Sequence, residues 1–196
     1  MIPKRIAAVI LAAGSSSRMG FPKQLLPYKS RPLLLHMIEI AVASTCRPVA
    51  VVVGCHADLL RPHLLNLPVQ LIENPAWHTG LGSSITASIL ALQSASPAID
   101  AALFLLGDQP LISPDLLNQM VDAYLARPTI VACSYAQTFG PPVLFDRQYF
   151  PDLLNLPPSQ GAKPFIQKHQ PHTTFIPFPQ GQTDSDTPWI AVDTPW

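Results

Sequence analysis

Short apolar segments recur along the chain and alternate with segments that carry helix signals. The apolar segments lie at 6–12, 49–53, 69–72, 101–106 and 130–133. Apolar runs of this length are typical of strands buried on both faces of a parallel sheet. Between them we predict helices at 32–44, 82–93 and 116–126, since first-turn prolines and capping residues open the first and the last of these. The alternation predicts a doubly wound, mostly parallel, Rossmann-like α/β fold.

The last third of the chain differs in texture from the rest. After Cys133, prolines punctuate short segments at positions 141, 142, 151, 157 and 158. Because proline lacks an amide N–H and interrupts helices and central strands, we expect an irregular extension over the sheet rather than a second domain. We therefore predict a single domain over 1–196, with the sheet in about 1–135 and the extension, which ends in a short strand at 189–192, in about 136–196.

Composition and charge exclude several classes of protein. Lys plus Arg and Asp plus Glu number 12 each, so the chain lacks the broad positive field that attracts a nucleic-acid backbone. The apolar segments are far shorter than the roughly 20 residues that span a bilayer. Cys46, Cys55 and Cys133 are widely separated, unlike the cysteines of a zinc site or a disulfide scaffold. We expect a cytoplasmic protein without a nucleic-acid or membrane partner.

A small, hydroxyl-rich loop follows the first predicted strand. Gly14 opens it, three consecutive serines follow, and Arg18 and Lys23 supply two positive charges. Small residues let backbone N–H groups approach phosphate oxygens, while a guanidinium and an ammonium add charge-assisted hydrogen bonds. Neither the Walker pattern nor the dinucleotide-binding glycine pattern is present, and the alternative is a flexible surface turn. The residue types favour a triphosphate site.

An acidic residue, Asp108, directly follows the strongly apolar segment 101–106. In a parallel sheet this places its carboxylate at the ligand-binding edge, on the same side as the Gly14 loop. Mg²⁺ is commonly held by one or two carboxylates together with substrate phosphates and water. The alternative is that Asp108 only forms the turn before Gln109 and Pro110.

A third segment, 73–84, joins a predicted strand to a predicted helix. Asn74 follows the strand, and Gly82 and Ser83 stand where the helix begins. Because the first N–H groups of a helix lack partners within it, they can hold a phosphate or a polar group of a nucleoside. The same residues also serve as ordinary capping residues, so both interpretations stay open here.

Other chemically capable residues have simpler interpretations. Cys55 and His56 follow the second strand without partners at zinc spacing, and we interpret them as a loop pair rather than metal ligands. Trp77, Phe145 and Phe165 could stack on a flat ring such as a nucleotide base, although aromatic residues more often fill the core of a small enzyme.

Taken in order, these segments resemble the molybdenum cofactor guanylyl- and cytidylyltransferase family. The opening motif of that family, Leu-Ala-Ala/Gly-Gly-x-x-x-Arg-Met-Gly with a following lysine, is matched by Leu11, Gly14, Arg18, Met19, Gly20 and Lys23. Its second motif, Asn-Pro-x-Trp-x-x-Gly, is matched by Asn74, Pro75, Trp77 and Gly80. Its Gly-Asp-Gln-Pro turn is residues 107–110, and further similarity extends over nearly the whole chain.

The resemblance implies a Mg²⁺-dependent nucleotidyltransferase that transfers CMP from CTP to a phosphorylated pterin, molybdopterin, and releases pyrophosphate. The catalytic residues it implies are Arg18, Lys23 and Asp108. The nucleotide-binding residues it implies are Leu11, Ala12, Ala13, Gly14, Arg18, Lys23, Asn74, Gly82, Ser83 and Asp108. The acceptor-binding residues on the extension are Gly140, Pro141, Pro142 and Lys163, and the metal ligands are Asp108 and Asp193. A molybdoenzyme that receives the product is the implied protein partner.

Two features of the sequence bear on which nucleotide and which acceptor the protein would use: its similarity to one branch of the family, and its departures from the pattern of that branch. Ala13 resembles the CTP-using branch, whereas the GTP-using branch has glycine at that position. Near the C-terminus the cytidylyltransferases read Asp-Ile-Asp where this chain reads Ala191, Val192 and Asp193, so Asp193 is the acid that matches. The open alternatives are a sugar 1-phosphate or another metabolite as acceptor, a GTP-using guanylyltransferase, and a non-catalytic nucleotide or cofactor carrier.

Overall fold

The computed structural model describes residues 3–16, 20–95 and 97–182, and most of its strands form one sheet. In chain order the strands are β1 (Ile6–Leu11), β2 (Pro27–Tyr28), β3 (Arg31–Pro32), β4 (Val49–Val53), β5 (Gln70–Glu73), β6 (Ala101–Leu106), β7 (Ile130–Tyr135), β8 (Thr138–Asp146) and β9 (Thr173–Pro177). Seven of them form the main sheet in the order β5-β4-β1-β6-β8-β7-β9, and β2 pairs with β3 in a separate hairpin.

The centre of the sheet is parallel. β1 lies between β4 and β6 and pairs in parallel with both, and β4 pairs in parallel with β5. β8 is antiparallel to both of its neighbours, β6 and β7, while β9 pairs in parallel with β7. The predicted doubly wound, mostly parallel α/β fold in a single domain is therefore confirmed.

Helices cover both faces of the sheet. They are α1 (Leu33–Ala43), α2 (Ala57–Leu64), α3 (Leu81–Gln93), α4 (Pro114–Ala126), α5 (Phe150–Leu154) and α6 (Lys163–Lys168). Side chains alternate between the faces of a strand, so Ile6, Ala8 and Ile10 of β1 pack in a cluster with α1, α2 and α4. The intervening residues Ala7, Val9 and Leu11 pack in a second cluster with α3, α5 and α6.

The expectation of an irregular extension after residue 135 is wrong for two segments, because β8 and β9 join the main sheet. Pro141 and Pro142 are accommodated by an irregularity in the pairing of β7 with β8. The paired residues pass from Ala132 and Val143 directly to Cys133 and Gly140, so neither proline has a partner in the ladder. Proline is tolerated at such a bulge, since no amide N–H is needed there.

The helices at 32–44, 82–93 and 116–126 are confirmed to within two residues at each end by α1, α3 and α4. The sequence analysis missed α2, a helix of eight residues with Pro62 inside it, as well as the short helices α5 and α6. The predicted last strand at 189–192 lies outside the described residues. Among the helices of the described ranges, none is long and apolar enough to cross a membrane.

The parallel strands end together at one edge of the sheet, and backbone hydrogen bonds continue past their ends. The N–H of Ala12 donates to the Val52 carbonyl at 2.9 Å, and the N–H of Gly107 donates to the Leu11 carbonyl at 3.0 Å. The N–H of Asn74 donates to Val53 at 2.9 Å. The segments that follow β1, β5 and β6 are therefore held at the same edge, where doubly wound sheets bind their ligands.

Candidate active site

A cavity of about 390 Å³ opens at this edge of the sheet. Its wall is built from the three segments that follow β1, β5 and β6. The lining residues are Leu11, Ala13, Gly14, Ser15, Ser16, Lys23, Gln24, Trp77, His78, Gly80, Leu81, Ser84, Leu106, Gly107 and Asp108. The structure thus brings together the three motifs that were predicted to share one site.

The first predicted motif contributes several of its residues to this wall. Leu11, Ala13, Gly14 and Lys23 line the cavity, whereas Ala12 is buried behind it. Apart from the chain neighbours of Gly14, no heavy atom of the described residues lies within 4 Å of the position that a Cβ would take there, so this stretch of backbone borders open space. Arg18, predicted to be catalytic, and its neighbours 17 and 19 lie outside the described residues.

Gln24 is a residue of this loop that the sequence analysis missed. Its side chain is buried, and its Nε2 donates to the carbonyls of Ala12 at 2.9 Å and Gly14 at 3.3 Å. Its Oε1 is also buried and accepts no hydrogen bond from the described residues. The sequence does not indicate that the side chain of Gln24 points into the protein, because its direction depends on the path of the folded loop.

Asp108 stands just beyond the end of β6. Gly107, its neighbour, is fixed by its hydrogen bond to Leu11, so the Asp108 carboxylate and the loop after β1 share the wall of the cavity. The turn is also held from α1, where His36 Nε2 lies 3.1 Å from the Pro110 carbonyl. Burial lowers the pKa of His36, which favours the neutral imidazole, and the Nε2–H tautomer donates to that carbonyl.

The donor set around Asp108 suits a hard divalent cation that shares its ligands with a substrate. Asp108 is the one acidic side chain on the cavity wall as described, and the described residues contain no cluster of three or more His, Cys, Asp or Glu. Asp193, the predicted second ligand, lies outside the described residues. A magnesium ion that takes one carboxylate and completes its shell with phosphate oxygens and water fits these residues.

Asn74 organises the second motif from within. The side chain is buried, with its Nδ2 donating to Ser83 Oγ at 2.8 Å and Ser84 Oγ at 3.0 Å. Its Oδ1 accepts from the N–H of Ala76 at 3.0 Å. Ser84 lines the cavity, but Asn74 and Ser83 do not. Their direct contact with a nucleotide therefore stays a prediction, and the observed contacts give them a positioning role.

Gly82 is required by packing rather than by an open ligand site. A Cβ at this position would lie 2.4 Å from the Pro157 carbonyl oxygen and 2.6 Å from that of Gln160. Gly82 is buried and does not line the cavity, because the segment 157–160 covers this side of the first turn of α3. The predicted contact between Gly82 and a nucleotide also remains a prediction.

A second cavity, of about 170 Å³, adjoins the first and shares Leu11, Leu81 and Leu106 with it. The predicted acceptor-binding residues Gly140, Pro141 and Lys163 lie on its wall, whereas Pro142 is buried and does not. The rest of the wall is mainly apolar and aromatic, with Ile85, Phe104, Leu105, Tyr135, Phe139, Val143, Phe145, Gly161, Ala162 and Ile166.

Polar groups are sparse in the second cavity. The Lys163 ammonium donates to Thr138 Oγ1 at 2.8 Å and lies 5.7 Å from the centre of the Phe139 ring. The Tyr135 hydroxyl is the other polar side-chain group on the described wall, and burial raises its pKa. Of the aromatic residues weighed from the sequence, Trp77 lines the first cavity, Phe145 lines the second, and Phe165 packs on the Phe145 ring.

The sequence and the fold place the chain in a nucleotidyltransferase family. Residues 8–173 match the MobA-like NTP transferase domain, and the chain belongs to this family. Among curated relatives it is 31% identical over 141 residues to nicotine blue oxidoreductase of Paenarthrobacter nicotinovorans, a match that covers 71% of this chain and 66% of that protein. It is 29% identical over 174 residues to the purine catabolism protein PucB of Bacillus subtilis, covering 84% and 82%.

Other matches are more partial or are structural. A match of 34% identity to the bifunctional protein GlmU of Halorhodospira halophila covers 59% of this chain but only 24% of that protein. The crystal structure of Rv0371c from Mycobacterium tuberculosis superposes with a TM-score of 0.76 at 27% identity, covering 91% of this chain and 90% of that one. A nucleotidyl transferase from Methanothermobacter, at 20% identity and a TM-score of 0.73, shares the fold.

Gly82→Ala should destabilise the protein, whereas Gly14→Ala should not. The new methyl group at 82 must displace the segment 157–160, so we expect the free energy of unfolding to fall by about 1–3 kcal/mol. Gly14 has open space at its Cβ position, and removing a glycine also restricts the unfolded chain. We expect Gly14→Ala to leave the free energy of unfolding unchanged or raise it by up to about 1 kcal/mol. Urea unfolding of both variants measures this, and equal losses would contradict it.

Proposed function

We propose that this protein is a nucleotidyltransferase that transfers CMP from CTP to a phosphorylated acceptor, molybdopterin, and releases pyrophosphate. The observation that carries the proposal is the pair of adjoining cavities. One is bordered by a glycine and serine loop with Lys23 and Asp108, and the other is an aromatic cavity with Lys163 on its wall. Two substrates that must react with each other need two such sites in contact.

The first cavity has the chemistry of a triphosphate site. Gly14, Ser15 and Ser16 expose backbone and hydroxyl groups to it, and Lys23 adds a positive charge. Asp108 would hold Mg²⁺, which when bound neutralises phosphate charge and polarises the reacting phosphoryl group. Rv0371c has been solved in complex with manganese, in a structure at 26% identity to this chain, and this supports the proposal that the protein binds a divalent cation. Arg18 and Asp193 keep their proposed roles from the sequence.

The reaction needs no covalent intermediate on the protein. An oxygen of the acceptor phosphate attacks the α-phosphorus of CTP, a new phosphorus–oxygen bond forms, and the bond from the α-phosphorus to the bridging oxygen of the β-phosphate breaks. Both electrons of that bond leave with pyrophosphate. The loop residues and Lys23 orient the triphosphate and stabilise the charge that develops on the leaving group. Catalysis in this proposal is thus positioning and charge stabilisation.

The second cavity favours a planar aromatic acceptor over a sugar phosphate. A sugar presents hydroxyl groups around its whole ring, each of which needs a hydrogen-bond partner when it is buried, whereas a pterin carries its polar groups at the ring edge and has a face that can stack. The described wall offers the Tyr135 hydroxyl and the Lys163 ammonium among mostly apolar and aromatic side chains. Aromatic rings at Phe139 and Phe145 suit stacking on a pterin, and Lys163 suits its phosphate. A molybdoenzyme that receives the product remains the proposed partner, and three free cysteines suit the proposed cytoplasmic location.

A panel of nucleotides tests the proposal directly. The protein is incubated with Mg²⁺, molybdopterin and CTP, GTP, ATP or UTP in turn, and pyrophosphate release is measured. We expect release with CTP at a rate at least about ten times that with GTP, since a pocket that pairs with one base rejects a base that leaves its polar groups unpaired. Equal rates with CTP and GTP would remove Ala13 as an indicator of base choice.

The same panel separates the alternatives. Pyrophosphate release with a sugar 1-phosphate but not with molybdopterin would identify the sugar phosphate as the acceptor. Binding of CTP without release in the presence of molybdopterin would indicate a carrier. Because one relative is named an oxidoreductase, a parallel assay tests the protein for redox turnover, and activity in that assay alone would refute the transferase proposal.

Lys23→Ala and Asp108→Asn should each lower the turnover rate at least about 100-fold, because each removes a group that stabilises transition-state charge. Asp115→Asn and Lys168→Ala are matched controls, since both side chains are exposed and lie outside the two cavities. Single-turnover formation of the CMP product is the measurement. Turnover within about three-fold of wild type in either cavity variant, with folded protein shown by circular dichroism, would refute the assignment.

Lys163→Ala should raise the KM for the acceptor about ten-fold, since it removes a charge-assisted hydrogen bond to the acceptor phosphate. The KM for CTP should stay within about two-fold of wild type, because Lys163 lines the second cavity and not the first. Lys168→Ala on the same helix serves as the control. Steady-state kinetics with each substrate varied in turn give both constants, and a larger effect on CTP than on the acceptor would reverse the assignment of the cavities.

A further inference from the structure

The carbonyl groups of four consecutive residues at the start of the loop after β1 are all taken up by donors. Gln24 Nε2 donates to the carbonyls of Ala12 and Gly14, at 2.9 Å and 3.3 Å. The backbone N–H of Cys55 donates to Ala13 at 3.1 Å. His56 Nε2 lies 3.0 Å from the Ser15 carbonyl. Two of these donors, Cys55 and His56, belong to the segment after β4. His56 lies 41 residues after Ser15 in the sequence.

The amide groups of the same loop are not used in this way. Within the described part of the chain, no hydrogen bond takes up the N–H of Gly14, Ser15 or Ser16, and all three residues line the first cavity. Ser16 has a positive φ of 51°, and its Oγ accepts from the N–H of Lys23 at 3.0 Å. A carbonyl oxygen repels an anion, so a loop that binds phosphate needs its carbonyls turned away and its N–H groups left available.

We propose that His56 is a positioning residue for oligophosphate binding, which acts by holding the Ser15 carbonyl away from the cavity. His56 does not line the cavity itself, so its effect on a ligand passes through the loop. It precedes α2, whose Leu60 and Leu64 are buried in the core, and this fixes the imidazole relative to the sheet. The inference rests on the proposed function for the identity of the ligand, a nucleoside triphosphate.

The role requires a donor at the Nε2 position and does not require a charge. The tautomer with its proton on Nε2 donates to the Ser15 carbonyl while the imidazole is neutral. A glutamine side chain presents an N–H at a similar distance from the backbone, whereas alanine presents none. His56→Gln should therefore restore what His56→Ala loses. His63 on α2 is exposed and its imidazole makes no hydrogen bond with the described residues, so His63→Ala is a matched control.

Binding of inorganic triphosphate and of CTP, each with Mg²⁺, tests the inference by calorimetry on the four proteins. We expect His56→Ala to raise both dissociation constants roughly ten-fold, and His56→Gln and His63→Ala to stay within about three-fold of wild type. The KM for CTP should rise in parallel in His56→Ala, while the KM for the acceptor stays unchanged.

The outcomes separate this inference from the proposed function. Equal affinities in wild type and His56→Ala would overturn the inference, as would a His56→Gln variant as weak as His56→Ala, since a donor N–H at this position would then not be what the loop requires. A wild-type protein that binds neither triphosphate nor CTP would also overturn it. If triphosphate binding depends on His56 while no nucleotide is transferred to any acceptor, the inference holds and the proposed function fails.

Discussion

The parallel register of β1 between β4 and β6 is the constraint on which the candidate site depends. Leu11 is paired with Val52 on one side and with Leu106 on the other. Because side chains alternate between faces, a slip of one residue would exchange the two sets of β1 side chains between the core clusters. The slip would also separate the start of the Gly14 loop from Asp108. The site is therefore a consequence of how three buried strands are aligned, and their apolar burial stabilises that alignment.

The return of the chain into the sheet as β8 supplies the second half of the site. β8 runs antiparallel to β6, with Val143 paired to Phe104, so the residues that precede Val143 lie near the end of β6 that carries Asp108. Gly140 and Pro141 reach the second cavity in this way. The irregular pairing that accommodates the two prolines thus lies at the point where the strand contributes to a cavity.

Sequence reasoning predicted the central sheet well because buried parallel strands leave an unmistakable apolar pattern. The segments 49–53 and 101–106 coincide with β4 and β6. It failed for β8, where Pro141 and Pro142 resemble a loop, since the bulge that tolerates them depends on the pairing of β7 with a distant segment. It failed for α2 because Pro62 interrupts a short helix whose stability comes from packing of Leu60 and Leu64.

The sequence predicted those site residues whose own side-chain type indicates their chemistry. It did not predict the residues whose part in the site depends on contacts formed by the folded chain. Gly14, Lys23 and Asp108 do line one cavity, as the order of the motifs indicated. The inward-facing side chain of Gln24 and the reach of His56 to Ser15 could not be predicted, because each depends on contacts between segments far apart in the chain. Asn74 and Gly82 lie in the segment 73–84, and their hydrogen bonds and packing contacts depend on the folded path of the chain, which the sequence pattern does not give.

The three leucines shared by the two cavities bear on whether the acceptor or water would attack the α-phosphorus of a bound nucleotide. Leu11, Leu81 and Leu106 present no hydrogen-bonding side-chain groups at the junction where, in a transferase of the proposed kind, the two substrates would meet. A water molecule needs about two to four polar partners to reside at such a place. In such a transferase, the junction would disfavour an ordered water in line with the α-phosphorus and would bias the competition between transfer and wasteful hydrolysis toward transfer.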